Sequence, residues 1–341
     1  MTNRYYVSGN TAEGFLNFID SNIRGIKRTI VLKHDSDSVK TSVLKHIIKK
    51  YEATNNLDIL LSPLGSEYLD GVILRQESMA VVIDQIAPTS VNSEVIELEE
   101  HFPSDVGAQL QEKKHIQSAT QMSYENFATG LSIHDKLEQI YIDYMDFKRA
   151  DELAVNLIRD ILPSQTQHDK EGEICQRLFG TNTPEGAVNV VPEIIQKISN
   201  VCYIKGRAGT GKSTFMKKVV NAATTIGLDV EQYRCSFDPR GIDMVIVREL
   251  DFCIFDSTDP HEFFPNRESD NVIDLYEKAV TPGTDEKFSK EITELTNRYK
   301  SYMKKGIKDL QKADSYRDQA EKMYTLPSKK QLNTLVETWY L

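Results

Sequence analysis

The chain has 341 residues, of which 40% are hydrophobic and 27% are charged, and its net charge is −10. This composition is typical of a globular protein, and the length suggests two domains that each bury a core. The negative charge makes nucleic acid an unfavourable partner.

The N-terminal residues, the lengths of the apolar runs and the cysteines bear on the cellular location of the protein. The sequence begins without the apolar core of a secretion signal and contains no apolar run of membrane-spanning length. We therefore expect a cytoplasmic protein that does not enter a membrane. The cysteines have no C-x-x-C spacing, and we expect them to be reduced thiols rather than metal or redox ligands: Cys175, Cys202, Cys235 and Cys253.

The first half of the chain alternates apolar runs with one helical run. A polar segment at 8–14 precedes a strand-like segment at 31–33, and a helical pattern follows Lys40 and Thr41. A crossover helix between strands implies a parallel sheet with helices on both faces. The further strand-like runs are residues 57–62, 69–75 and 80–84.

The second half carries a phosphate-binding loop motif. Residues 206–213 read Gly-Arg-Ala-Gly-Thr-Gly-Lys-Ser, between the strand-like run 200–205 and a helical pattern. In such a loop, glycines let backbone N–H groups face the phosphates while lysine reaches the β and γ phosphates. The alternative is a glycine-rich surface turn before a helix. The predicted nucleotide-binding residues are Gly206, Arg207, Ala208, Gly209, Thr210, Gly211, Lys212, Ser213 and Thr214.

A second carboxylate completes the predicted site. Asp256 ends the apolar run 251–255, where a P-loop enzyme needs an acid to orient Mg²⁺. We assign Lys212 and Asp256 as catalytic, and Ser213 and Asp256 as the Mg²⁺ residues. The alternative for Asp256 is a turn residue before Asp259 and Pro260. Because Ser257 follows, the adjacent glutamate of many motor and transporter ATPases is missing, and efficient hydrolysis is in doubt.

Other residues are weaker candidates. Asp238-Pro239-Arg240-Gly241 imitates the D-x-x-G loop of guanine-nucleotide switches, but no N-K-x-D tetrapeptide occurs, so a type I turn is the better interpretation. ATP is therefore favoured over GTP. Arg248, which matches Arg75 in position, and His261 are more simply explained as surface and turn residues than as catalytic ones.

The two halves are an internal repeat. The segment 8–14 matches 180–186, and the same offset of 172 residues carries Lys40 onto Lys212. Downstream, 69–75 matches 242–248, and the run ending at Asp84 matches the run ending at Asp256. This repeat predicts one domain over residues 1–165 and a second over 166–341.

The first copy has lost its loop. His34, Asp37 and Val39 occupy the positions of the three glycines, and Asp35 and Asp37 would repel an anion. We expect this copy not to bind nucleotide in the ordinary way. Lys40 and Thr41 are then relics, the alternative being a working atypical site.

A helical segment follows each α/β core. Apolar residues recur every three or four positions across 285–325, and the counterpart spans 112–159. These segments either pack the two halves together or form a partner-binding surface or substrate lid. Gly130 and Gly306 are candidate bends.

The chain resembles an uncharacterised family of bacterial tandem P-loop proteins that are usually labelled ATPases. The residues that carry the resemblance lie at 182–186, 206–214, 242–243, 247–250 and 255–261, and the resemblance extends over nearly the whole length. Family members tend to keep a glycine-rich loop in both halves, so the first half departs from the pattern. The resemblance implies two tandem three-layer P-loop domains and nucleotide binding, without a substrate.

These observations predict a protein that binds Mg·ATP at one P-loop in the second half and hydrolyses it slowly or on stimulation. Two alternatives remain. The loop could belong to a kinase that transfers the γ phosphate to a small acceptor under a helical lid, or to a non-catalytic switch. The switch would bind nucleotide tightly with negligible turnover.

Overall fold

A computed structural model describes residues 2–103, 110–162 and 170–339. No helix in these three ranges is both long and apolar enough to cross a bilayer.

The first half contains eight strands and four α-helices within residues 2–103 and 110–162. They are β1 (Thr2–Tyr6), β2 (Ser8–Thr11), β3 (Gly14–Asn17), α1 (Ile19–Asn22), β4 (Arg28–Lys33), α2 (Asp37–Tyr51), β5 (Leu57–Leu61), β6 (Leu69–Leu74), β7 (Met79–Ile83), β8 (Glu94–Glu97), α3 (Leu110–Ile142) and α4 (Phe147–Ile161).

The second half repeats this series and adds two short helices. Its elements are β9 (Ile174–Arg177), β10 (Gly180–Thr183), β11 (Gly186–Asn189), α5 (Val191–Ile195), β12 (Asn200–Lys205), α6 (Lys212–Thr225), β13 (Val230–Arg234), β14 (Ile242–Val247), β15 (Phe252–Asp256), β16 (Asn271–Asp274), α7 (Leu275–Ala279), α8 (Thr284–Lys287), α9 (Ser289–Glu321) and α10 (Lys329–Thr338).

Each half builds a six-stranded sheet with the same strand order. The first sheet runs β1-β5-β6-β7-β4-β8, and the second runs β9-β13-β14-β15-β12-β16. Both sheets are mixed rather than parallel, because β6 and β14 run antiparallel to their neighbours. The reason is the short connections on either side of these strands, at 62–68 and 75–78 in the first half, which are too short for a crossover helix. The protein is thus an α/β protein with two related sheets.

The helix that follows β4 in the first half, and β12 in the second half, forms for local reasons. In α2, the Ser36 side chain caps the helix by accepting a hydrogen bond from the Val39 N–H. Val39, Val43 and Ile47 then recur at intervals of four residues and are buried against the sheet. In the second half, α6 presents Phe215, Met216, Val219 and Val220 to its own sheet in the same way.

The β12 strand shows that both faces of the second sheet are covered. Cys202 and Ile204 pack in one cluster with α6, whereas Val201 and Tyr203 point to the other face and pack in a cluster that contains α5 residues. All four cysteines are free thiols, and two of them, Cys202 and Cys253, are buried in these sheets.

The halves meet at matched positions. Tyr6 and Leu178 exchange backbone hydrogen bonds of 3.1 and 2.9 Å, which joins the edge strands β1 and β9 of the two sheets. Since these residues are equivalent in the repeat, the contact has approximate two-fold symmetry. A buried charge network lies beside it, in which the Arg177 guanidinium stacks 3.9 Å from the ring centre of its counterpart Tyr5.

The helical segments pack on each other and on the opposite half. The long helices α3 and α9 run antiparallel, as contacts of His115 with Tyr316 and of Tyr144 with Phe288 show. Ala154 of α4 is buried in the core of the second half, against α6. Residues of α10 are buried in the cluster that contains α2 of the first half. The two halves therefore exchange their terminal helices.

Gly130 and Gly306 lie within these continuous helices at sites of close approach. A Cβ on Gly306 would lie 2.3 Å from the ring of Phe127, and one on Gly130 would lie 3.5 Å from Tyr299 and Met303. Gly306 therefore lets α3 and α9 approach closely, whereas a Cβ at position 130 would make only ordinary van der Waals contacts.

Candidate functional site

The loop between β12 and α6 has the curled backbone that the motif predicts. Gly209 and Gly211 adopt φ of +74° and +78°, in the left-handed region that only glycine enters at low cost. Thr210 between them is fully buried, and its hydroxyl donates to the Arg207 carbonyl at 2.8 Å. Gly211 is the residue that precedes the first turn of α6. The loop thus leads directly into a helix N-terminus, which carries partial positive charge.

Lys212 and Asp256 come together at the mouth of this loop. The Lys212 side chain is only about a tenth exposed, and its Nζ lies 2.7 Å from the Arg207 carbonyl oxygen and 3.5 Å from Oδ2 of Asp256. Asp256 arrives there because β15 is parallel to β12 and pairs Asp256 with Ile204. The carboxyl ends of adjacent parallel strands therefore carry both predicted catalytic groups.

Ser213 has a different contact from the one predicted for a metal ligand. Its Oγ accepts a hydrogen bond of 2.9 Å from the Ile242 N–H, at the start of β14. In the first half, Oγ1 of the equivalent Thr41 accepts from the Leu69 N–H at 3.2 Å. The hydroxyl that the two copies share therefore has a structural role in both, in addition to any metal role of Ser213.

Of the remaining loop residues, Arg207 and Ala208 contact other side chains and Thr214 is exposed to solvent. The Arg207 guanidinium forms an ion pair of 2.9 Å with Asp285 and stacks 4.6 Å above the Tyr276 ring. Ala208 packs with an aromatic cluster that includes Tyr141. Thr214 is exposed, in the first turn of α6. The arginine of the loop is thus held by the segment that follows β16.

A buried acid beside the loop was not predicted as functional. Asp243 lies on β14, and Nε2 of His261 is 3.9 Å from its Oδ2. Burial raises the pKa of Asp243, and the nearby charge of Asp256 raises this pKa further. His261 acts in the opposite direction and lowers it. Its counterpart Asp70 is buried, accepts a hydrogen bond from Ser8, and has a pKa raised to about 6 by burial. The sequence does contain a signal for these acids, because the matching segments 69–75 and 242–248 both have an aspartate at this position.

The end of α3 lies across the loop. A Cβ placed on Gly209 would be 2.3 Å from the carbonyl oxygen of Glu138, so glycine is required there for packing as well as for φ. His134, Asp135 and Glu138 form a cluster on the same stretch of α3. Burial raises the pKa of the Glu138 carboxyl, with Asp135 and Asp238 contributing, and burial lowers the pKa of His134.

In the first half, the equivalent loop holds a carboxylate of the protein itself. Glu321, at the end of α9, accepts hydrogen bonds from the Ser36 hydroxyl at 2.5 Å and the Asp37 N–H at 2.7 Å. Lys40 is 1% exposed and lies 2.9 Å from Asp84 and 3.0 Å from Asp37. The Glu321 carboxylate thus binds the loop groups, and Asp37 and Asp84 bind the lysine, that would otherwise face a phosphate.

The strand register refines the alignment of the two acids. Leu32 of β4 pairs with Ile83, whereas the equivalent Ile204 of β12 pairs with Asp256. Asp84 therefore lies one residue beyond the position of Asp256, and the alignment of these two aspartates by sequence is wrong by one residue. Both nevertheless contact the lysine of their own half.

The weaker candidates have structural partners. Arg248 and Arg75 each pair with an acid on the neighbouring strand, Glu231 and Asp58 respectively, within the contact between the halves. Residues 238–241 form a turn closed by a hydrogen bond of 2.9 Å from the Gly241 N–H to the Asp238 carbonyl. Nδ1 of His261 lies 2.8 Å from the Asp256 carbonyl oxygen, also within a turn.

A separate groove of about 510 Å³ contains none of the predicted loop residues. It is lined by Tyr203, Phe263, Phe264 and Arg267 among others. The loop is instead covered by α3 on the side where Gly209 and Gly211 lie.

Comparison of the chain with protein-family models, with curated proteins and with solved structures found no match.

Proposed function

We propose that the second half binds a nucleoside triphosphate, with ATP favoured, through residues 206–214. The observation that carries the proposal is the left-handed backbone at Gly209 and Gly211 immediately before α6, with Lys212 and Asp256 converging on the same point. Backbone amides in this arrangement and a helix N-terminus attract the oxygens of a phosphate group.

The residues present fit a magnesium-bound triphosphate tail. Lys212 would contact the β and γ phosphates in place of the Arg207 carbonyl, and Ser213 with Asp256 would hold Mg²⁺. The cation neutralises phosphate charge when bound. The loop amides orient the phosphates, and the aromatic cluster around Ala208 keeps water away from one side of the loop.

Slow turnover fits the residues that follow Asp256. Ser257 is fully buried, and its Oγ donates to the Phe263 carbonyl at 2.6 Å and accepts from the Phe263 N–H at 3.0 Å. A hydroxyl committed to two backbone contacts is a poor group for activating water. We therefore propose ATP hydrolysis that is slow or requires stimulation.

A switch without catalysis is the second candidate. The observation that favours it is the contact between Glu138 of α3 and Gly209, because a ligand at the loop would affect a helix of the other half. The hydrolase and the switch share the binding step and differ in turnover.

Calorimetric titration tests the binding step. ATP, GTP and ADP, each with and without Mg²⁺, are titrated into the wild type, Lys212→Ala and the matched variant Lys40→Ala. We expect Lys212→Ala alone to lose binding. Equal losses in both variants, at a temperature where circular dichroism shows both to be folded, would contradict a single site in the second half, and no binding by the wild type would refute the proposal.

Product analysis then separates the candidates. The protein is incubated with ATP that carries a radioactive γ phosphate. Release of free phosphate supports the hydrolase, and tight binding of ATP without release of phosphate supports the switch. A labelled small molecule in preference to free phosphate would indicate a kinase instead.

A further inference from the structure

The loop of the second half is covered by a helix that the first half supplies. A Cβ on Gly209 would lie 2.3 Å from the carbonyl oxygen and 2.8 Å from the Cα of Glu138, so the α3 backbone touches the loop itself. Farther along, the Met145 methyl group is 3.7 Å from the Cβ position of Gly211. Residues 138–145 thus cover the side of the loop where the two left-handed glycines lie.

The covering segment brings an anion to this place. The Glu138 carboxylate lies 3.7 Å from Nδ1 of His134 on the same helix, and the Gly209 amide and the Lys212 charge act to lower the pKa of this carboxyl. Gly209 and Lys212 are two of the groups that a phosphate would use. Asp135 and Asp238 are close enough to repel the Glu138 carboxylate. The carboxylate therefore has both attractive and repulsive neighbours at the loop.

The first half has the same arrangement with the roles of the halves reversed. There α9, the partner of α3, delivers Glu321 to the N-terminus of α2, where the carboxylate accepts from Ser36, Asp37 and Ser38. Arg317 adds an ion pair of 3.6 Å to Asp37. Each long helix therefore brings a carboxylate close to the loop of the opposite half, and in the first half that carboxylate accepts hydrogen bonds from the loop.

We infer that Glu138 and the adjoining end of α3 are an internal competitor for the 206–213 loop, so that a bound triphosphate and the docked α3 end exclude each other. The inference rests on the proposed function and adds its regulation. A ligand and residues 138–145 cannot fill the same space beside Gly209 and Gly211, so a nucleotide that binds on this side must displace residues 138–145 before Lys212 can contact its phosphates. Displacement of this end changes the packing of α3 on α9, which carries Glu321 at its far end.

Removal of the competing carboxylate tests the inference. Mg·ATP and sodium tripolyphosphate are titrated into the wild type, Glu138→Ala and Glu138→Gln, with Glu125→Ala as the matched control on an exposed part of the same helix. We expect both Glu138 variants to bind about tenfold more tightly than the wild type, a typical size for coupling between two sites. The control should bind like the wild type. Unchanged or weaker binding by Glu138→Ala would overturn the inference.

Hydrogen exchange provides a readout that needs no ligand. In the ligand-free protein, amides 206–213 should exchange faster in Glu138→Ala than in Glu125→Ala, because α3 protects the loop less. With Mg·ATP, amides at 138–145 of the wild type should lose protection.

This readout distinguishes the two possible failures. If no variant binds nucleotide, the proposed function fails, and faster exchange at 206–213 in Glu138→Ala alone still supports the docked carboxylate. If exchange at the loop is the same in Glu138→Ala and Glu125→Ala, the competitor is refuted whether or not nucleotide binds.

Discussion

Asn10 and Asn182 bind each other's backbone across the contact between the halves. Nδ2 of Asn10 donates to the Asn182 carbonyl at 2.8 Å, and Nδ2 of Asn182 donates to the Asn10 carbonyl at 3.0 Å. Both residues are buried, and they are separated by the repeat offset of 172 residues. The reciprocal pair joins the hairpin β2–β3 to the hairpin β10–β11.

Replacement of either asparagine by alanine should destabilise the protein by similar amounts. Each change leaves a buried carbonyl without its donor, which costs about 1–3 kcal/mol. Urea unfolding measures the loss for Asn10→Ala and Asn182→Ala, with the exposed Asn221→Ala as control. A loss from only one of the two buried variants would contradict the equivalence of the two contacts.

Glu321→Ala should destabilise the first half at the start of α2. The carboxylate accepts from the Ser36 hydroxyl and the Asp37 N–H at a helix N-terminus, so its loss should cost about 1–3 kcal/mol. Urea unfolding gives the size of the effect, and hydrogen exchange at amides 37 and 38 gives its location. Glu291→Ala, on the exposed face of the same helix, is the control. Slow exchange at both amides in Glu321→Ala would argue against the contact.

Lys40→Ala should be among the most destabilising changes in the first half. Burial lowers the pKa of Lys40, but the carboxylates of Asp37 and Asp84 outweigh burial and raise it, so the lysine is charged. Its removal leaves these acids without their cation, at a cost of about 3–5 kcal/mol for a buried pair. Thermal and urea unfolding measure this against the exposed Lys49→Ala. Equal stability of the two variants would show that Lys40 has no such role.

Glu231 should make the stability depend on acid pH. Burial raises its pKa, but Arg177 and Arg248 outweigh burial and lower it from 4.5 to about 2. A lowered pKa stabilises the folded state above about pH 4.5, and this contribution is lost as the pH falls toward 2. It amounts to about 3 kcal/mol when fully present.

The variant Glu231→Gln tests this pH dependence. The difference in unfolding free energy from the wild type should be constant above pH 5 and shrink between pH 4.5 and 2. The exposed Glu268→Gln should show no such change. A difference for Glu231→Gln that does not vary with pH would refute the assignment.

Local patterns predicted the elements of this fold well. The glycine positions of 206–211, the helical spacing that follows Lys212 and the repeat offset are properties of short segments, and short segments largely determine turns and helix faces. The expectation of an α/β fold is confirmed. The prediction of a parallel sheet is wrong for β6 and β14, because these strands belong to hairpins whose connections are too short for a crossover helix.

The arrangement across the halves could not be predicted in the same way. Apolar spacing in 112–159 and 285–325 indicates amphipathic helices, but it does not say which surface each helix covers. Nothing in the pattern around Glu138 or Glu321 distinguishes them from other helical glutamates. Their role arises from the antiparallel packing of α3 and α9, which depends on contacts between residues far apart in sequence. Whether the 206–214 loop binds nucleotide stays a prediction.

The exchange of helices between the halves also has a consequence for synthesis on the ribosome. When residues 2–103 leave the exit tunnel, two parts that pack on this half have not yet been translated. They are Glu321, which binds the start of α2, and α10, which lies in the same apolar cluster as α2. The second sheet, by contrast, is translated after α3 and α4. The helices that pack on the second half are therefore already present when this sheet emerges. The half translated first is therefore the one that completes its folding last.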